Sequence, residues 1–208
     1  MINDPAVTDY LSALEPEPDP LLLEMRKHGE RDHIPIVHDV TGGLLEVLAA
    51  ASGAKRAVEV GTAIGVSTLH LSRGGAHVTS FEVDPERHAA ARDYLKRGGF
   101  EPDLRLQDAT AGLAELDDGS FDLAFIDGPK AGYETHLDET VRLLRSGGLL
   151  LVDNVLMGGG AATGKPANQW GQESVDLIRA FNQRIKEHPD LRATFLAVGD
   201  GVAMAVRR

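Results

Sequence analysis

The sequence predicts an α/β fold, a doubly wound, seven-stranded, mostly parallel sheet with a C-terminal antiparallel hairpin. Three observations predict it. From Ala57 onward, short apolar runs alternate with helical stretches, which is the pattern of βαβ units joined by right-handed crossovers. The last two apolar runs, residues 192–198 and 202–206, are separated only by Gly199-Asp200-Gly201. That connection is too short for a crossover helix, so the two runs pair as an antiparallel hairpin at a sheet edge. The composition, 42% apolar and 25% charged over 208 residues, is that of an ordinary globular protein with one full-sized core.

The elements follow in order. A short helix is expected over residues 7–14. Residues 15–20 then alternate acidic side chains with Pro16, Pro18 and Pro20. Proline lacks the backbone donor and disfavours helix at the residue before it, so this segment reads as an extended connector. Helices are expected next over 20–30 and 41–51; in the latter Leu44, Leu45, Val47 and Leu48 recur at helical spacing and Ser52-Gly53 closes the helix. The parallel strands are placed at 57–60, 77–83, 104–106, 121–126 and 148–152, with helices between them at 66–73, 85–98 and 133–144. A final helix over 172–188 leads into the hairpin. Residues 158–171, rich in Gly and Ala, read as a loop, and no internal repeat is present. The chain therefore reads as one domain, with residues 1–51 covering the ligand site and residues 52–208 forming a Rossmann-like core.

Composition also excludes several function classes. There are no cysteines, hence no disulfides, thiolate metal sites or cysteine nucleophile. A net charge of −11 disfavours nonspecific attraction to nucleic acid or anionic membranes. The one early basic cluster, Arg26, Lys27 and Arg31, reads as a solvated helix face. No apolar run approaches the roughly 18 residues of a membrane helix, and residues 1–5 lack the basic and apolar regions of an export signal. The expected location is cytoplasmic.

Ligands of doubly wound folds sit beyond the carboxyl ends of the strands at the switch point. That rule directs attention to the residues after Val60, Val83, Leu106, Ile126 and Val152. After the first strand, Gly61-Thr62-Ala63-Ile64-Gly65 carries two glycines four positions apart. The dinucleotide fingerprint G-x-G-x-x-G is absent, so this turn suits a ligand without phosphates. The second strand ends on Glu82, 21 positions after Gly61, where a carboxylate accepts hydrogen bonds from ribose hydroxyls. Gln107-Asp108-Ala109, after the third strand, is a candidate adenine contact. Strand four ends in Asp127 and strand five in Asp153-Asn154. Two carboxylates and an amide are hard oxygen donors, suited to Mg²⁺, with Mn²⁺ or Ca²⁺ as alternatives, and unsuited to zinc or copper.

These residues resemble a family. Glu59-Val60-Gly61-Thr62, Phe81-Glu82-Val83-Asp84-Pro85-Glu86, Phe125-Ile126-Asp127, Lys130, Tyr133 and Asp153-Asn154-Val155-Leu156 look like the catechol/caffeoyl-CoA O-methyltransferases that use S-adenosylmethionine and a divalent metal. Phe181-Asn182 and Gly199-Asp200-Gly201 extend the resemblance, which covers nearly everything after Ile34. It implies that Asp127, Asp153 and Asn154 ligate the metal and that Lys130 is the general base. It implies cofactor contacts from Gly61, Thr62, Ser67, Glu82, Ala109 and Asp127, with Glu59 close by and Val37 covering the methionine end. The acceptor would be a small molecule with vicinal hydroxyls, and the protein a homodimer. Two adjacent hydroxyls would chelate the cation, one would give its proton to Lys130, and orientation would supply most of the acceleration.

The sequence departs from the family pattern at Gly128-Pro129, between a metal ligand and the base, at Val66, where an aromatic is common, and at Met157, where a Trp is often found. Trp170 is the ring that can stand in for the last. Three rival readings remain. His33-Ile34-Pro35-Ile36-Val37 and Gly61–Gly65 also resemble the branch that methylates 5-hydroxyuridine in tRNA, against which the acidic charge counts. A cofactor-binding regulatory module would not need Asp127, Lys130, Asp153 and Asn154 together. An NAD-linked oxidoreductase lacks its third glycine and a Tyr-x-x-x-Lys pair.

Overall fold

The computed structural model describes residues 5–14, 19–168 and 170–208. The acidic proline connector falls at residues 15–18, outside the described residues. Helices α1 (Pro5–Ser12), α2 (Pro20–Asp32) and α3 (Asp39–Ser52) precede the sheet. Then β1 (Arg56–Val60), α4 (Val66–Arg73), β2 (His77–Glu82), α5 (Pro85–Arg97), β3 (Asp103–Leu106), α6 (Ala109–Ala114), β4 (Phe121–Ile126), α7 (Tyr133–Leu143) and β5 (Leu144–Val152) alternate. A short α8 (Gly160–Thr163), the long α9 (Gln172–Glu187) and the hairpin β6 (Leu191–Leu196) and β7 (Val202–Arg207) complete the chain. Among the described residues no helix is long and apolar enough to cross a membrane.

The sheet runs β3-β2-β1-β4-β5-β7-β6. Pairing is parallel from β3 to β5, and β7 is antiparallel to both β5 and β6, as the alternation and the short last turn predicted. The chain winds outward from β1 to β3, then returns to β4 on the other side of β1. The switch point therefore lies between β1 and β4. Helices cover both faces. One apolar layer gathers Val58, Val60, Phe81, Tyr133, Leu137 and Phe181. The other gathers Met25, Leu45, Ile64, Leu69, Tyr94 and Phe125. Alternate residues of β1 and β4 feed the two layers, which is why these strands are apolar throughout.

Capping explains the helix starts. Asp19 accepts from the Leu22 amide at 2.9 Å ahead of Pro20, and Asp84 accepts from Glu86 and Arg87 ahead of Pro85. Gly53, at φ 65, closes α3. Three local expectations need correction. Helix α6 replaces the open strand end expected after Leu106, because Asp108 caps it through the amides of Thr110 and Ala111. β5 starts at Leu144, which pairs with Phe121 across a register shift, so no loop separates α7 from the strand. Residues 158–171 hold α8 and a bridge between Ala167 and Trp170 where a plain loop was expected.

α3 is locked onto α4 by a histidine. The His70 ring sits so close under α3 that a Cβ at Gly42 would lie 2.5 Å from its Nε2, while Nδ1 meets Glu46 at 3.0 Å. Burial lowers the His70 pKa below its ordinary 6.5, against the opposing pull of Glu46. A depressed folded-state value means that protonation favours the unfolded chain. His70 therefore contributes stability above pH about 6.5 that is lost as the pH falls toward its folded value. In urea unfolding followed across mildly acidic pH, the midpoint should drop more steeply for the wild type than for His70→Gln. Parallel slopes would show that another group sets the dependence.

Candidate active site

The carboxyl ends of β1, β2, β4 and β5 open into one cavity of about 1160 Å³. Its floor is made at the switch point. The Asp127 amide donates to the Val60 carbonyl at 2.9 Å, and the Asp153 amide donates to the Ile126 carbonyl at 3.0 Å. These bonds bring the ends of three neighbouring strands level. Gly61 follows β1 at φ 96, and a Cβ there would lie 2.5 Å from the Asp127 carbonyl oxygen. Glycine is needed both for the conformation and for that approach.

Along one wall the end of β2 presents a fixed carboxylate. Glu82 is fixed by three backbone donors, with Ala63 on Oε2 at 2.8 Å and Val83 and Asp84 on Oε1 at 2.9 Å. The carboxylate is thereby aimed, and its remaining lone pairs are acceptors for a diol. Gly61, Thr62, Ser67, Glu82, Ala109 and Val37 all line the cavity. Val37 arrives in the segment between α2 and α3 together with Pro35, Ile36 and His38.

Glu59 takes a different place from the expected one. It does not line the cavity but lies fully buried beneath it. Thr68 donates to its Oε2 at 2.5 Å and Ser80 at 2.6 Å, and Ser80 in turn meets Thr62 at 2.6 Å. Burial raises the Glu59 pKa against these hydrogen bonds. Glu59 is thus a brace that ties β1, β2 and α4 together and holds the Thr62 hydroxyl from below.

At the other end of the cavity stand Asp127, Lys130, Asp153 and Asn154. Lys130 lies on a 3₁₀ turn, Lys130–Gly132, that leads into α7. Its Nζ donates to the Tyr133 hydroxyl and to Asn154 Oδ1, the latter at 3.2 Å. Tyr133 donates onward to the Asp153 carbonyl at 3.3 Å and packs on Phe181 with ring centroids 4.9 Å apart. Asn154 sits at φ 60, a left-handed conformation that asparagine tolerates, and its amide donates to Asp153 Oδ1 at 2.8 Å. The hairpin turn clamps this segment, since the Val155 and Leu156 amides donate to the Gly201 and Asp200 carbonyls at 3.1 and 2.9 Å. Asn182 adds a bond to the Val155 carbonyl at 2.8 Å. Phe181 and Asn182 thus support the site from behind, while Gly199 and Asp200 of the Gly-Asp-Gly turn also line the cavity.

The electrostatics are those of a site short of positive charge. Burial, with Asp153 alongside, pushes the Asp127 carboxyl well above the usual carboxylate range. Asp153 is raised too, again by burial. Burial also pulls the Lys130 amine down, against the attraction of Asp127, Asp153 and Asp200. Two buried carboxylates facing one partly neutralised amine are a donor set that a hard divalent cation fits. Among the described residues no three His, Cys, Asp or Glu side chains converge on one metal position. The set here is two carboxylates completed by an amide oxygen.

His38, Arg87, Thr110 and His136 line the cavity without having been marked by the sequence. His136, one helical turn after Tyr133, is buried against the cavity with Nε2 3.3 Å from the Thr110 hydroxyl. Its i,i+3 spacing from Tyr133 on the inward face of α7 was the available signal.

Comparisons with known proteins agree with this geometry. A family model described as O-methyltransferase matches residues 13–208. The chain is 34% identical over 195 residues to an O-methyltransferase of Mycobacterium marinum (strain ATCC BAA-535 / M), covering 91% of this chain and 85% of that one. It is 37% identical over 177 residues to O-methyltransferase Rv1220c of Mycobacterium tuberculosis (strain ATCC 25618 / H37Rv), covering 82% and 77%. Among solved structures, cofactor-bound Rv0187 from MTB superposes with a TM-score of 0.86 at 31% identity, over 100% of this chain and 99% of that one. An O-methyltransferase from Bacillus cereus in complex with SAH gives a TM-score of 0.84 at 27% identity, over 98% and 97%.

The approach of Gly61 to β4 yields a direct expectation. Gly61→Ala should lower unfolding stability by about 1–3 kcal/mol through backbone strain alone, more if β4 must move. Urea unfolding with an unchanged m-value would measure it; a midpoint equal to that of the wild type would mean that the turn adapts.

Proposed function

This chain belongs to the O-methyltransferase family, and from that premise we propose that it methylates one hydroxyl of a small, catechol-like acceptor whose adjacent oxygens are held by a divalent cation at Asp127, Asp153 and Asn154. The methyl donor is S-adenosylmethionine. The observation that carries the metal-dependent reading is the pair of buried carboxylates with an amide oxygen at adjacent strand ends, beside a carboxylate cradle for a ribose.

The residues divide the work. Glu82, held by three backbone amides, accepts from the ribose hydroxyls. Gly61 and Thr62 let the ligand lie against the end of β1, Ser67 and Ala109 line the nucleoside end, and Val37 covers the opening. Asp127, Asp153 and Asn154 would hold Mg²⁺, with Mn²⁺ or Ca²⁺ as alternatives, since hard oxygen donors favour these ions. When bound, the donor supplies an electrophilic methyl group and the cation supplies the charge that acidifies an acceptor hydroxyl. Lys130 takes that proton at Nζ. Burial disfavours its charged form, and its bonds to Tyr133 and Asn154 hold Nζ beside the metal ligands. The Pro35–His38 segment acts as the cover.

Two measurements test this reading. Methyl transfer to catechol should collapse in EDTA and return with Mg²⁺, and Asp153→Ala should lower it by roughly tenfold or more. Full activity in chelator would remove the metal from the mechanism. For Lys130→Ala, kcat should fall by about 10²–10⁴-fold while the affinity for S-adenosylhomocysteine changes little. Equal losses in both would make Lys130 structural.

A further inference from the structure

Beyond the end of β3 the cavity has a polar corner that the roles above leave unused. Thr110, the second residue of α6, and His136, on the inward face of α7, both line it. Thr110 is exposed, whereas His136 behind it is only 3% exposed. The imidazole fits because two neighbouring positions lack side chains. A Cβ at Gly132 would collide with the ring, and one at Gly128 would press on Val60 at 2.7 Å and touch the ring at 3.9 Å. Gly128, where the sequence departs from the family pattern, thus leaves room for a histidine against the cavity.

The hydrogen bonds of this pair fix a direction. His136 Nε2 lies 3.3 Å from the Thr110 hydroxyl oxygen, and Nδ1 is buried with no partner among the described residues. Burial lowers the His136 pKa, against the pull of Asp108, so at neutral pH the ring is uncharged and carries one N–H. With that hydrogen on Nδ1, a buried donor would go unpaired; with it on Nε2, only an acceptor lone pair does. As for backbone groups, an orphaned buried N–H is the rarer of the two. Nε2–H therefore donates to the Thr110 oxygen, and the Thr110 hydroxyl hydrogen is left for the cavity. Asp108 steadies the same residue by accepting from its backbone amide at 2.9 Å.

A ribose held on Glu82, at the end of β2, sends its base toward the end of the neighbouring strand β3, where Thr110 stands. Adenine presents ring nitrogens there as acceptors. We infer that Thr110 reads the base of the cofactor by donating to a ring nitrogen of adenine, and that His136 is the positioning residue that turns the hydroxyl toward it. This rests on the S-adenosylmethionine reading above and concerns recognition of the cofactor alone.

Titration calorimetry with S-adenosylhomocysteine and its 1-, 3- and 7-deaza analogues, each of which replaces one ring nitrogen by carbon, tests the pair without turnover. Thr110→Val, a change at an exposed side chain, should weaken S-adenosylhomocysteine binding about three- to tenfold. The deaza analogue lacking the nitrogen that Thr110 reads should bind the wild type weaker by a similar factor, and should bind Thr110→Val as well as S-adenosylhomocysteine does. His136→Leu should reproduce both effects, and His136→Gln, whose amide nitrogen can stand where Nε2 stands, should restore the discrimination. A purely structural role for His136 would weaken all four ligands alike. Thr110→Val binding S-adenosylhomocysteine as the wild type does overturns the inference, as does a Thr110→Val that still separates the analogues in the wild-type manner; the cofactor reading survives both. A wild type that binds none of the four ligands overturns the cofactor reading and the inference with it.

Discussion

The backbone bond from the Asp127 amide to the Val60 carbonyl, 2.9 Å long, closes the central strand pair at the point where the chain reverses its direction of winding. Gly61 lies hard against the Asp127 carbonyl there, and the Asp153–Ile126 bond repeats the arrangement one strand further on. These contacts set three strand ends level, so that side chains distant in sequence face one cavity. The Glu82 carboxylate, the Asp127–Asp153 pair and Lys130 inherit their spacing from that junction.

Around it the protein separates two electrostatic tasks. At the nucleoside end, Glu82 is satisfied by backbone donors and needs no counter-charge. At the other end, Asp127 and Asp153 are buried with little positive charge beside them, and the Lys130 amine that faces them is itself disfavoured as an ion by burial. Such a cluster is costly in the folded chain unless something cationic relieves it. The supporting shell is correspondingly dense. Tyr133, Phe181, Asn182 and the Gly199–Gly201 turn all bear on residues 153–158, and Asp200 also lines the cavity near Lys130.

Glu59 illustrates how a motif residue can matter without touching a ligand. Its carboxyl gathers the hydroxyls of Thr68 and Ser80, and through Ser80 that of Thr62. The glycine turn above it is therefore held by a polar knot below. On an interior strand covered on both faces, residues of either parity are buried, so the alternation that separates core from surface on an exposed sheet carries no such information.

The sequence by itself determined the winding of the sheet, the terminal hairpin, the turn at Gly61 and the set of polar side chains at the strand ends. All of these depend on local periodicity, capping and turn chemistry, which are written in neighbouring residues. It also marked Asp127, Asp153 and Asn154 as belonging together, because the topological rule puts their strands side by side, while Lys130 entered through the family resemblance. Tertiary structure decided the rest. Helix α6 is too short to show a period and exists through its Asp108 cap. Leu144 joins β5 only because Phe121 is there to pair with it. Glu59 turns inward and Met157 is drawn into the core, while Trp170 is swung to the cavity by a turn docked on Gly158. Which way a side chain faces is settled by what packs against it, and those partners come from elements far away in the chain.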